Sequence, residues 1–421
     1  MKYQDCLEHL EQLGDEVVTM RLGVGSIRTL LQEMGNPHLD YPSVLVAGTN
    51  GKGSIARFIS SIAGSCGLLT GRFSSPHLVT VRERICLNET ALGREAFAES
   101  FARVQKAART ANLPHPPTYF ETLCATALDY FSCQSIDLAV LEIGLGGRLD
   151  STNAVDPVLS VLGPIGLDHQ LLLGNTIQEI ASEKAGIIRP STPVVSAPQR
   201  AGAERVIRET ACKSRAPLSM IAPHQVRTHH ISGGRYHIHY MDIHAELSVV
   251  GQHQGINAAV AIHSVKKLER LGWSFPAECI VEGLAAVQPF GVLQRIAREP
   301  DVFVDGGHNP DAARAVSSFL TSHTKEPRHL VFSMMRDKDL AAVAEILTPL
   351  FEQVYLFELS STRAASASQL KKAFPQGVVI GDLKRALGEA QRQAASVLVF
   401  GSFRLSGKVL AERDDSGNFG S

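Results

Sequence analysis

No stretch of this sequence approaches the roughly 20 consecutive apolar residues that span a bilayer. The opening run from Met1 to Leu10 mixes charged and apolar residues and lacks the apolar centre of a signal peptide. A cytoplasmic protein with no membrane segment is therefore expected. Cysteine is sparse and unpatterned: the seven, at positions 6, 66, 86, 124, 133, 212 and 279, are odd in number and form no Cys-x-x-Cys pair. That argues against a disulfide framework and against a zinc centre. Charge of one sign is also lacking, since 41 Lys+Arg against 42 Asp+Glu leave a net −1. No basic field is available for nucleic acid or an anionic membrane, so any anion must be held by a local site. Internal repeats and low-complexity tracts are absent.

What remains is an ordinary globular composition, 44% hydrophobic and 20% charged, over 421 residues. That length exceeds one compact core, so two domains are expected. Apolar β-branched runs alternate with helix-period segments, the pattern of a mainly parallel sheet flanked by helices. Buried strands are predicted at 43–47, 136–143 and 158–162, with a helix from about Ser54 after the first. Thr176-Ile177-Gln178-Glu179 has capping-box spacing for a helix running to about Ile188. Residues 236–250 read as an antiparallel hairpin grafted onto the sheet, and 257–271 as a helix. Pro289, Gly291 and Pro300 break the periodicity, after which strands recur at 302–304, 330–332, 354–357, 378–380 and 397–400. The fold class is α/β, with a P-loop-type domain over 1–291 and a smaller Rossmann-like α/β domain over 292–421. A polar tail from Asp414 is expected to fray.

The sharpest local signal is Gly48-Thr49-Asn50-Gly51-Lys52-Gly53-Ser54, set between a buried strand and a helix. Glycines let successive amides converge on phosphate oxygens, and the helix start and Lys52 add positive charge. The spacing is not the standard Walker pattern. Glu142 ends a second buried strand ahead of Gly144-Leu145-Gly146-Gly147, where a carboxylate can hold Mg²⁺ against those phosphates or simply pair with an arginine. Asp305-Gly306-Gly307-His308-Asn309-Pro310 suits two readings equally. Asp305 can accept from ribose hydroxyls with His308 facing phosphate, or the segment is a capped βα loop. His169 and Lys184, taken alone, read as structural and solvated residues. The histidines at 229, 230, 237, 239 and 244 are better explained as a solvated hairpin face than as metal ligands.

Taken in order, GTNGKGS (48–54), SSPHL (74–78), ERI (83–85), TYFE (118–121), EIGLGGRLDSTN (142–153), GLDH (166–169), EKAGI (183–187), HQGINAA (253–259), DGGHNP (305–310), DKD (337–339) and GSF (401–403) span nearly the whole chain. The series resembles the folylpolyglutamate synthase/dihydrofolate synthase family of the Mur ligase superfamily. The resemblance implies an ATP-dependent ligase joining L-glutamate to dihydropteroate or a reduced folate through an acyl phosphate. It implies ATP and Mg²⁺ as cofactors, small-molecule partners only, and a monomer. By that resemblance Ser75, Glu142 and His169 match metal ligands, and Lys184 matches a lysine that becomes carbamylated. Asn257 and Asp305 match nucleotide contacts; Thr118, Tyr119, Phe120, Glu121, Leu149, Asp150 and Ser151 match segments facing the pterin.

The chain departs from the family at Phe290-Gly291-Val292, where Val292 stands in place of an arginine that reaches ATP phosphate. Arg295 or Arg298 is expected to substitute for it in part. Tyr119 leans toward dihydropteroate as substrate and Arg21 leans the other way. Rival readings are another Mur-type ligase, a nucleotide-binding relative with impaired catalysis, and a P-loop kinase. The first is disfavoured because Gly48 comes too early for a preceding nucleotide-sugar domain, the second because Glu142, His169 and Lys184 are all retained.

Overall fold

A computed structural model of the chain describes residues 1–231 and 235–416, with the side chains of 413–416 excepted. The larger sheet has eight strands. Their order is Thr90–Ala91, Ile85–Leu87, Thr70–Phe73, Leu138–Glu142, Ser43–Ala47, Leu159–Leu162, Val194–Ser196 and Leu218–Met220. The last six are parallel, and the first two add an antiparallel edge. Strand alternation explains why both faces are covered. Leu45, Ala47, Ala139 and Leu141 join one apolar cluster, while Val44, Val46, Leu138 and Val140 join the other. Helix Tyr119–Cys133 packs in the first cluster and helices Lys52–Ser65 and His253–Glu269 in the second.

The smaller sheet has six strands, in the order Gln294–Ala297, Asp301–Asp305, Ser396–Phe400, Arg328–Phe332, Gln353–Leu356 and Val378–Val379. Only the first pair is antiparallel. Again alternate residues serve opposite faces: Phe303, Leu398 and Phe400 on one side, Val302, Val304, Val397 and Val399 on the other.

Several expectations shift by a turn or less. The helix after the first strand opens at Lys52 rather than Ser54, because Gly51 caps it at a left-handed φ of 76°. This brings Lys52 into the first turn, where amides have no partner within the helix. The Thr176 capping box forms, but its helix ends at Ala185, where Gly186 abuts Arg148. The helix expected from Asn257 starts at His253, so Asn257 sits in its second turn. The hairpin Arg235–Tyr240/Ile243–Val250 is not grafted onto the main sheet. It pairs with Arg227–His230 as a separate three-stranded antiparallel sheet, and its inward residues Ile238, Tyr240, Ile243 and Leu247 join the apolar cluster of helix His253–Glu269. The polar segment expected to fray is helical as far as Ser416, and the remainder lies outside the described residues.

Candidate active site

The parallel register sets Glu142 beside Val46, and Leu162 beside Ala47. The three loops that follow, at 48–54, 143–150 and 163–169, therefore leave one edge of the sheet together, the edge where open α/β sheets bind ligands. There they line a cleft of about 1020 Å³ whose opposite wall carries Asp305, His308, Asn309, Lys338 and Arg404 from the smaller-sheet region.

Within the phosphate-type loop, the Thr49 and Asn50 amides both donate to Pro164 O, fixing the turn, while Lys52 Nζ makes one long bond to Thr49 O at 3.3 Å. A side chain at Gly51 would meet Asn257 Oδ1, so Asn257 packs directly against the loop. Asn257 also donates to Gln254 Oε1 at 3.0 Å. A Cβ at Gly53 would sit 3.4 Å from Glu142 Oε2. The lysine-bearing turn and the strand-end glutamate thus meet at one point.

Glu142 is 4% exposed and accepts one hydrogen bond, from the Ser75 amide at 3.2 Å. Burial raises its carboxyl above the ordinary value, against the pull of Lys52. A buried carboxylate with so few protein donors, next to Ser75, fits an oxygen-seeking divalent cation. His169 follows the third strand in a left-handed conformation, φ 50°, which is uncommon outside glycine and concentrates at functional positions. Its Nε2 lies 3.0 Å from Lys338 Nζ. Burial, with the charge of Lys338, brings the imidazole down to about 3.

Asp168 is the junction of the cleft. Its carboxylate meets Lys338 Nζ at 2.6 Å, His308 Nε2 at 3.3 Å and Asn309 Nδ2 at 3.4 Å. Asp168, His169 and His308 form the one His/Cys/Asp/Glu cluster with metal-like geometry among the described residues. The hairpin histidines form none, and His239 stacks on His244 instead. Lys184 is 4% exposed, its side-chain amine makes no hydrogen bond to the described residues, and burial together with Lys52 brings that amine to about 7.

Asp305 and His308 occupy the cleft, but both have structural partners. Asp305 accepts from Leu293 N at 2.9 Å and Gly307 N at 2.7 Å, and burial lifts its carboxyl to about 6. His308 Nδ1 donates to Gly306 O at 2.9 Å. The segment matched to the pterin divides. Tyr119 and Phe120 line the cleft, and Leu149 lines an adjoining cavity of about 440 Å³. Thr118 and Glu121 are buried in a reciprocal helix cap, and Asp150 caps Leu145 and Thr152 with Ser151 buried beside it. Arg295 pairs with Asp301, and neither it nor Arg298 lines the cleft, so the expected substitute for a cation at Val292 is not found there. Asp168, Lys338 and Arg57 also line the cleft; the GLDH and DKD segments hold the first two, but no local pattern marks their meeting.

A glycine turn that opens a helix, a buried glutamate against it and a second α/β lobe across the cleft define an ATP-dependent ligase of the Mur type. Residues 291–403 match the profile described as "Mur ligase, glutamate ligase domain". The chain belongs to the folylpolyglutamate synthase/dihydrofolate synthase family. It is 32% identical to the folylpolyglutamate synthase of Lacticaseibacillus casei over 91% of this chain and 92% of that one. Its fold is similar to Escherichia coli FolC solved with DHPP and ADP, at a TM-score of 0.88 and 30% identity, covering 99% of both chains. It is also similar to a bifunctional folylpolyglutamate synthase/dihydrofolate synthase solved with Mn, AMPPNP and L-glutamate, at 0.85 and 27% identity, covering 98% of both.

Proposed function

We propose that this chain uses ATP to ligate L-glutamate to dihydropteroate, to the glutamyl carboxylate of a reduced folate, or to both. The observation that carries this reading is the meeting of Gly53 and Glu142, which puts the phosphate loop and a buried carboxylate at one point of a two-walled cleft.

In this reading the loop from Gly48 through Thr49, Asn50, Gly51, Lys52 and Gly53 to Ser54 cradles the triphosphate. Asn257 serves the base side and Asp305 the ribose, with His308 near the phosphates. Ser75, Glu142 and His169 would hold Mg²⁺, which would neutralise charge on the phosphate oxygens. An oxygen of the substrate carboxylate attacks the γ-phosphorus, the bond to the β,γ-bridging oxygen breaks, and ADP leaves. Lys52 offsets negative charge on the transferring group. The deprotonated amine of glutamate then attacks the acyl carbon, forming the amide and releasing phosphate. Tyr119, Phe120 and Leu149 offer the apolar and aromatic surface for the pterin, while Thr118, Glu121, Asp150 and Ser151 shape it from behind.

Lys184, with its amine near neutrality at physiological pH, suits addition of CO₂, which requires the uncharged form. The division at 291/292 separates the lobe that binds phosphate from the one that positions glutamate. We place the protein in the cytoplasm as a monomer acting on small molecules and not on nucleic acid; its seven cysteines are all free thiols.

The test is ADP release and incorporation of radiolabelled glutamate by the purified chain, with dihydropteroate and with a reduced folate. Amide product with free phosphate, dependent on both substrates, is expected. Phosphate retained on a stable product would identify a kinase, and binding without turnover an impaired relative; either result sinks the proposal.

A further inference from the structure

Three charged side chains meet at the phosphate-loop helix, Arg57 lining the cleft with Arg72 and Glu89 beside it, and their charges do not balance. Arg72 is 1% exposed. It donates from Nε to Glu89 Oε1 at 2.9 Å, from Nη1 to Ser74 Oγ at 2.5 Å and from Nη2 to Cys86 Sγ at 3.1 Å, so every nitrogen is engaged. Arg57, in the second turn of helix Lys52–Ser65, reaches the same glutamate by one long bond, Nη1 to Oε2 at 3.4 Å. Two guanidiniums therefore share one carboxylate. Glu142 lies close enough for both to feel its charge, but its one hydrogen bond is to Ser75.

Arg57 lines the cleft with 15% of its side chain exposed. Its guanidinium carbon stands 3.8 Å from the centre of the Phe290 ring, in the strap that joins the two lobes. A ring face holds a guanidinium by its plane and leaves the edge N–H donors free. Other arginines of the cleft already have carboxylate partners. Arg84 is held by Glu16, Arg200 by Asp311, Arg363 by Asp337 and Arg404 by Asp15. Arg57 combines a shared partner, unused donors and a place in the cleft lining against Phe290, two residues before Val292 in the strap. Burial, with the like charge of Arg72, also presses its guanidinium down to about 10.

We infer that Arg57 is an anion-binding arm for the phosphate chain of the nucleotide, presented by the phosphate-loop helix and steadied by Phe290. The inference rests on the ATP reading of the cleft. It gives this chain a guanidinium on the phosphate side of the cleft where Val292 can offer none, and a guanidinium's paired donors suit phosphate oxygens.

The test compares two nucleotides on the full chain by calorimetric titration with Mg²⁺: the non-hydrolysable β,γ-imido analogue of ATP, and AMP. Arg57→Met is expected to weaken the triphosphate by about tenfold or more while leaving AMP unchanged, as for one lost charged hydrogen-bond donor. Equal weakening of both nucleotides, or of neither, overturns the inference. Glu89→Gln disturbs the same packing but keeps the cation, so triphosphate affinity should stay within about twofold or rise. A loss matching that of Arg57→Met would mean that packing was measured, and would also overturn it. If the unaltered chain binds no triphosphate, the ATP reading itself falls and takes this inference with it.

Discussion

Lys338 reaches across the cleft to place its ammonium 2.6 Å from Asp168, with side chains only 5% and 9% exposed respectively. The two ends of this pair are not equally favoured. Burial alone would raise the Asp168 carboxyl, but the His308 hydrogen bond and the charges of His308 and Lys338 hold it far below the usual carboxylate range. For Lys338, burial outweighs Asp168 and leaves the ammonium below its ordinary value. The carboxylate, with several partners, is the stabilised end, and the ammonium bears the cost of desolvation.

Lys338→Met should therefore destabilise the chain, by less than the ~3–5 kcal/mol of a fully severed buried pair, because His308 and Asn309 still face Asp168. Thermal melting reads this directly. Because the folded carboxyl lies below its unfolded value of about 3.9, its contribution is fully present above about pH 4 and drains away as the pH falls further. Asp168→Asn should flatten the acid limb of the melting curve. A melting temperature unmoved by either variant would contradict the account.

At Gly51, alanine meets two obstacles. The φ of 76° costs an L-residue about 1–2 kcal/mol, and the new methyl group collides with Asn257. Gly51→Ala is expected to raise the KM for ATP by about tenfold or more, with a smaller fall in melting temperature. If the KM for ATP holds, the close packing of loop and helix is not what shapes the nucleotide site.

Lys184 gives a prediction with a pH sign. In the unmodified chain its folded value of about 7 lies below the unfolded value of about 10.4. Across that window the unfolded chain binds more protons, so stability rises with pH, and Lys184→Met should remove that slope. The same neutral amine should take up isotopically labelled bicarbonate, seen as a carbamate resonance that Lys184→Met abolishes. Absence of the resonance under conditions of full activity would show that modification is not needed.

Val292→Arg offers a cross-check on Arg57. In the Arg57→Met background the added guanidinium should recover about tenfold in KM for ATP, whereas in the unaltered chain it should change little. Equal gains in both backgrounds would show that Arg57 does not fill the gap.

How far the molecule could be read beforehand depended on sequence distance. The strand at 43–47, the glycine turn and Glu142 were legible because strand, loop and helix follow one another locally and carry their own periodicity. The hairpin at 236–250 was legible as a hairpin, but its neighbour was not, since the choice between sheet edge and helix face is a tertiary one. The triangle of Arg57, Arg72 and Glu89 draws on a helix, a strand and a turn, and Lys338 meets Asp168 from 170 residues away; no local pattern announces either. Thr118 and Glu121 are a different case. Their T-x-x-E spacing is the same capping signature as at Thr176, and it explains why these side chains are occupied with their own helix.

Asp305 fastens the amide of Leu293, at the end of the connecting strap, and the amide of Gly307, at the mouth of the nucleotide cleft, with its two oxygens. A ribose that recruits this carboxylate must share it with the clasp that fixes the lobes' attachment. Were the ribose to dock there as proposed, its occupancy and the set of the hinge would be yoked through a single side chain.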